Sequence, residues 1–153
     1  MNESPRIKKL FTDLYEGNPW IDITLTNTLN GITAAQAAKK VSPHWNTIWE
    51  IINHMISWRQ NVLGRVNGEI TDSPADNYFA PVTDTSEAAW SETLQRLKTT
   101  QEEWTHFLSH MKEEIFDQVY PNNNNNYYEH IHGILQHDAY HLGQVVLLAK
   151  VPF

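Results

Sequence analysis

The chain has 153 residues, 41% of them hydrophobic and 19% charged, which is enough apolar material for one domain with its own core and carries no signature of disorder. Eighteen acidic against 11 basic residues leave a formal charge of −7, so the basic footprint that phosphate backbones and anionic lipid require is missing and neither nucleic acid nor membrane is an expected partner. With no cysteine, disulfides, thiolate nucleophiles and thiolate zinc ligands are excluded, and a metal site has to be built from His, Asp or Glu.

The N-terminal stretch has no apolar core following a basic start, and no apolar run approaches the ~18 residues of a membrane span, so a cytoplasmic protein is expected. A first amphipathic helix is predicted over 5–17, with Pro5 in its first turn, Ile7, Leu10, Phe11 and Leu14 on one stripe, and Gly17 as its stop. The segment 18–45 then reads as a long connection containing a short extra helix capped by Thr33, with Trp20 and Trp45 expected to pin it to the core. Thr-rich ITLT has strand character but no partner strand.

A second helix is predicted over 46–69. Asn46 is available as a cap, Thr47 and Glu50 have capping-box spacing, and Ile48, Ile51, Met55, Trp58, Val62 and Val66 form the apolar stripe. His54 sits on the flank of that stripe. A loop leads to a third helix over about 86–112, whose Trp90, Leu94, Leu97, Trp104, Phe107, Leu108 and Met111 face inward and whose other residues carry no evident chemistry. The run of five asparagines after Pro121 is a turn-favouring connector, and a last helix follows over about 127–150. The fold class predicted is all-α, an antiparallel four-helix bundle in a single domain spanning 1–153.

Eight histidines are the chemically informative residues. His106 and His110 have metal-binding spacing but fall on the solvent side of their helix, and His44 lies in a loop. By contrast, His137 and His141 share a stripe with Ile134, Val145 and Leu148. Two buried imidazoles without partners cost on the order of 1–3 kcal/mol each. Residues four apart on a helix have Cβ atoms ~5–6 Å apart, which lets two ring nitrogens converge on one ion. His54, from a neighbouring helix, completes a three-histidine facial set that leaves coordination positions open. His130 lies a further two turns along the His137 stripe, ~10.5 Å of rise, too far to share the ion but placed to line a pocket. His132 is expected in a surface or interhelical hydrogen bond. His137-Asp138-x-x-His141 is one methylene short of the H-E-x-x-H protease signature, but too little chain follows His141 for a distal ligand, so Asp138 is read as supporting the site or the helix packing.

The segments IINHMISWRQNVLGRVNGE, NYFAPVTDTSEAAW and HGILQHDAYHLGQVVLLAK resemble the DinB-like superfamily of helical bundles, and the His137, Tyr140, His141, Gly143, Gln144 pattern is the most specific part. The resemblance implies metal ligands at His54, His137 and His141; three imidazoles suit one divalent ion, Zn or Ni before Fe or Mn, and Trp58, His130, Asp138, Tyr140 and Gln144 are the candidates for its surroundings by their nearness to the ligands. It also implies a homodimer acting on a small-molecule substrate. Three functions remain open at this level: a metal-dependent transferase moving an external low-molecular-weight thiol onto an electrophile, a metal-dependent hydrolase, and a non-enzymatic metal- or ligand-binding stress module.

Overall fold

The computed structural model describes residues 2–152. Its regular structure is helical: α1 Glu3–Tyr15, α2 Leu25–Leu29, α3 Ala34–Ala37, α4 Ile48–Val66, α5 Glu87–His110 and α6 Tyr127–Ala149, with a 3-10 turn at Glu113–Asp117. Among the described residues there is no strand, only an isolated bridge between Val119 and Asn126. No described helix is long and apolar enough to cross a membrane.

The helix starts are set by side chains that satisfy the first free backbone N–H groups. Capping boxes open α3 (Thr33 with Gln36), α4 (Thr47 with Glu50) and α6 (Asn126 with Glu129). On α4 the cap is Thr47 rather than Asn46, because only Thr47 has the Glu three residues on that closes the box. ITLT forms no strand: Thr24 accepts from Asn27 N and starts α2.

The connection ahead of α4 is held differently from the sequence expectation. Trp20 is 98% exposed and Trp45 57% exposed, so neither is a pin. The anchors are the small apolar residues of the two short helices, Leu25, Leu29, Ala34 and Ala37, all buried. Two hydrogen bonds tie the segment to α5, from Ala34 N to Glu87 Oε1 at 3.0 Å and from Trp90 Nε1 to the Ile32 carbonyl at 2.8 Å. On α1 the buried face carries Ser4, Ile7, Phe11, Leu14 and Tyr15, which leaves Leu10 half exposed on its flank.

The four longer helices enclose the interior: α4 packs along both α5 and α6, and α1 along α5 and α6. Their core divides into two apolar clusters. One contains Trp49, Ile52, Ile56, Trp90, Leu97 and Leu142; the other Phe11, Val62, Trp104, Leu108, Ile131 and Ile134. On α4, α5 and α6 the changeover between clusters is marked by buried polar residues: Arg59 on α4, Thr100 and Gln101 on α5, Asp138 on α6. The α5 helix is therefore not chemically silent.

Arg59 is the centre of this layer. Its Nε donates to Asp138 Oδ2 at 2.8 Å, Nη1 to Thr100 Oγ1 at 3.0 Å and Nη2 to Gln101 Oε1 at 2.8 Å. The guanidinium carbon also lies 6.0 Å from the Phe11 ring centroid on α1, so one side chain touches all four long helices. The pair is buried, with side-chain exposures of 1% and 0%.

Removing one member of such a pair strands the other charge in a medium that solvates it poorly. Asp138→Ala is expected to lower unfolding free energy by ~3–5 kcal/mol, measured by urea denaturation of the metal-stripped protein. Arg59→Met combined with Asp138→Leu should cost less than either single change, and a double variant as unstable as the sum of the two singles would contradict this account.

Candidate metal centre

The polar layer continues outward between α4 and α6 into three imidazoles. His54 projects from α4, and His137 and His141 from successive turns of α6. His54 Nε2 lies 2.8 Å from His137 Nε2 and 3.0 Å from His141 Nε2, and one ligand atom from each ring falls within 4.8 Å of the other two. His54 and His141 are buried, and the His137 side chain retains 25% exposure.

The far nitrogens decide what the near ones can do. His54 Nδ1 donates to the Asn77 carbonyl at 2.6 Å, and His141 Nδ1 donates to Gln144 Oε1 at 2.7 Å. A neutral imidazole has one N–H, so both rings are left with a bare Nε2 lone pair. These two lone pairs, 3.0 Å apart, repel unless a cation lies between them. A proton is a poor occupant: burial, opposed by the Asn77 carbonyl and reinforced by the neighbouring imidazoles, pushes the His54 pKa down to about 4. Burial also lowers that of His141.

A divalent ion fits the same donors. Nitrogens bonded to one ion at ~2.0–2.1 Å stand about 2.9 Å apart for right-angled bonds and about 3.3 Å for tetrahedral ones. The observed 2.8 and 3.0 Å are the separations from His54 expected of nitrogens that share one ion, and the three ligand atoms lie within 4.8 Å of one another. All three rings border a cavity of about 620 Å³, so the triad is open to it.

His137 supplies a second indication. Its Nδ1 and Asp138 Oδ1 are both buried without hydrogen-bond partners and stand 3.8 Å apart. A small rotation of the ring toward Nε2 coordination would let Nδ1–H donate to that carboxylate, the usual support for a metal-bound imidazole. Asp138 thus serves the helix packing through Oδ2 and faces the site through Oδ1.

The outer wall of the site comes from the loop between α4 and α5. Asn77 and Tyr78 both adopt left-handed backbone conformations, with φ of 53° and 61°, which is unusual for residues other than glycine. The result is that the Asn77 carbonyl meets His54 while its side-chain Oδ1 accepts from Trp58 Nε1 at 2.9 Å. Phe79 stacks on His54 with ring centroids 3.9 Å apart. Asn61 Nδ2 donates to both the Asp72 carbonyl and the Tyr78 hydroxyl, pinning the loop.

The structure brings Trp58, His130, Tyr140 and Gln144 to the same cavity as the triad. The Trp58 ring is 6.4 Å from His137, and Gln144 Nε2 donates to the Tyr140 hydroxyl at 3.1 Å. His130 is buried and its Nε2 lies 3.3 Å from Asn123 Oδ1. His106 and His110 are exposed and stack on each other beside a separate groove of about 980 Å³, and His44 is exposed in its loop. His132 is half-buried against Tyr128, with its Nε2 unpaired rather than hydrogen-bonded. Sequence reading passed over Asn77, Phe79, Arg59 and Arg65. The Asn-Tyr-Phe run was visible, but nothing local shows that it folds back onto α4.

A family model described as DinB superfamily matches residues 24–145, which include all three histidines. No curated protein and no solved structure matches the chain.

Because folded His54 resists a proton that the unfolded chain accepts near the ordinary imidazole pKa of ~6.5, protonation favours unfolding. Stability of the metal-stripped protein is therefore complete above pH 6.5 and declines as pH falls toward about 4. The slope from this group approaches ~1.4 kcal/mol per pH unit. Denaturant titrations across that range should show the decline, and His54→Gln should flatten it; an identical slope in the variant would refute the assignment.

Proposed function

Because this chain belongs to the DinB superfamily, and because its three imidazoles bring ring nitrogens, two of them bare, to one point on a cavity wall, we propose that it is a metal-dependent enzyme that transfers a low-molecular-weight thiol onto a small electrophilic molecule. The observation that carries the metal-dependent part is the 3.0 Å approach of two Nε2 atoms whose Nδ1 partners leave them unprotonated. The transferase part is supported by the composition and the cavity together. The chain has no cysteine, so a sulfur nucleophile has to come from outside, and a cavity of about 620 Å³ beside the triad has room for it.

When bound, a divalent ion would act as a Lewis acid that lowers the pKa of a thiol and makes it nucleophilic near neutral pH. The chain's own residues hold, orient and enclose. His54, His137 and His141 are the ligands. The Asn77 carbonyl and Gln144 fix the tautomers of two of them, and Asp138 faces the third. Trp58 and Phe79 wall the site with apolar surface, and the Tyr140 hydroxyl, held by Gln144, stands at its rim. In the reaction a carbon–sulfur bond forms at the electrophilic carbon, the leaving group departs from that carbon, and the thiol proton is released. Zn or Ni suits three neutral imidazoles, and Fe or Mn is compatible with them.

The same reading takes α1, α4, α5 and α6 as an antiparallel four-helix bundle, with α2 and α3 as elaborations of the first connection. It also includes a homodimer in the cytoplasm. Trp45 and Leu147, 57% and 68% exposed, lie with Ile51 and Leu148 around a cavity of about 300 Å³ next to Gln144, an apolar patch of the kind that association covers.

Elemental analysis of protein purified without an affinity tag should find about one equivalent of divalent metal, lost in His141→Ala. Less than a tenth of an equivalent in both proteins would end the metal reading. Gln144→Ala should weaken metal binding by about 10–100-fold, as loss of an orienting partner does. The transferase reading itself is tested by assaying the metal-loaded protein against electrophiles with a panel of thiols. Thioether formation that disappears on chelation supports it, and hydrolysis of the electrophile without thiol incorporation points to a hydrolase instead.

A further inference from the structure

The cavity that touches the triad extends toward the other end of α4 and α6, where it is lined by Arg65, Asn123, Asn125, Glu129 and His130. Arg65 is 6% exposed, and among the described residues no carboxylate pairs with it. Its protein partners are two hydroxyls, Thr71 Oγ1 at 3.4 Å and Ser73 Oγ at 3.2 Å, and the faces of two rings, Trp58 at 5.6 Å and Tyr120 at 5.0 Å. The contrast with Arg59 is informative, because the other buried guanidinium of this molecule has a carboxylate on it. Hydroxyl dipoles and ring faces hold a guanidinium in place but do not neutralise it, and burying an uncompensated charge is costly.

The neighbouring groups leave Arg65 available. Glu129, the single carboxylate on the cavity wall, is exposed and accepts from Asn126 N at 2.8 Å in the capping box of α6. His130 is buried beside the guanidinium, whose charge adds to burial in keeping that ring neutral. The Asn123 and Asn125 amides add neutral hydrogen-bonding capacity, so part of the asparagine run is more than a connector.

Trp58 joins the two ends of the cavity. One side of its ring system is approached by the Arg65 guanidinium, and its ring lies 6.4 Å from that of His137. A planar guanidinium with free N–H groups at one end and a facial histidine set at the other are complementary to a molecule with two different heads.

We propose that Arg65 is the anchor of an anion subsite, and that the cavity takes a carboxylate-bearing small molecule whose far end reaches the histidine triad. The inference rests on the proposed metal-dependent thiol chemistry for what happens at the triad, but the subsite itself does not require a metal. In its simplest form the carboxylate belongs to the thiol.

The test is isothermal titration of zinc-loaded and metal-stripped protein with three ligand series of matched chain length: ω-mercaptocarboxylates, ω-mercaptoalcohols, and alkanoates without sulfur. Mercaptocarboxylates should bind about tenfold or more tighter than the alcohols, and Arg65→Gln should bring them to the alcohol level, because a charge-assisted pair is lost. Arg65→Lys should retain part of the preference, and melting curves identify any variant that fails to fold. The wild-type comparison of carboxylate with alcohol needs no variant. Equal affinity for the two in wild type, or no binding by either, overturns the subsite and leaves Arg65 a structural clasp of the loop. If alkanoates bind as well as mercaptocarboxylates and chelation changes neither, the subsite stands and the thiol reading falls. If only mercaptocarboxylates respond to chelation, both stand and the carboxylate is assigned to the thiol.

Discussion

The buried Arg59–Asp138 pair constrains everything around it. A guanidinium placed where four helices meet has to be neutralised and hydrogen-bonded in place, and Asp138, Thr100 and Gln101 each satisfy one of its N–H directions. Hydrophobic packing alone permits helices to slide by a turn or rotate by a fraction of one at small cost. Directed bonds from one planar group on α4 to α5 and α6 do not. The register of α4 against α6 follows, and with it the approach of His54 to His137 and His141.

The ion pair and the histidine centre are neighbours through a shared residue. Asp138 follows His137 directly, so its two oxygens look in different directions, one into the helix layer and one toward the ring. The helical repeat makes this possible: consecutive residues on α6 point about 100° apart, so Asp138 can be fully buried while His137 faces the cavity. The geometry of the site is set by packing in the core, and the loop carrying Asn77 and Phe79 is held against that frame by Asn61 and Trp58.

Burial has two opposite uses in this molecule. At His54 and His141 it keeps imidazoles neutral, which is the protonation state that binds a metal. At Arg59 and Arg65 it holds cations that cannot lose their charge, one matched by a carboxylate and the other by none among the described residues. Neutral nitrogens facing a common point and an unmatched guanidinium lie on the same cavity wall, and each leaves an electrostatic requirement open.

Much of this was determined by the sequence alone. Helical periodicity, the capping pairs Thr47/Glu50 and Thr33, and the helix starts are local properties, readable because each depends on residues three or four apart. The His54, His137, His141 set was also legible, because polar rings on otherwise apolar helix faces signal a partner before any coordinates exist. Only the tertiary structure decided the rest. Arg59 reads in sequence as an ordinary helix-surface cation, and its meaning depends on α5 residues more than forty positions away. Trp20 and Trp45 read as anchors because large aromatics are buried on average, yet the Leu and Ala side chains of α2 and α3 supply the buried surface and the indoles stay outside. Asn77 and Phe79 acquire a role only when a loop with left-handed residues folds back on α4, and Arg65 becomes distinctive only because no carboxylate among the described residues reaches it. These are statements about what lies across a contact, and a chain read along its length carries propensities for neighbours near in sequence, not the identity of those that folding brings from far away.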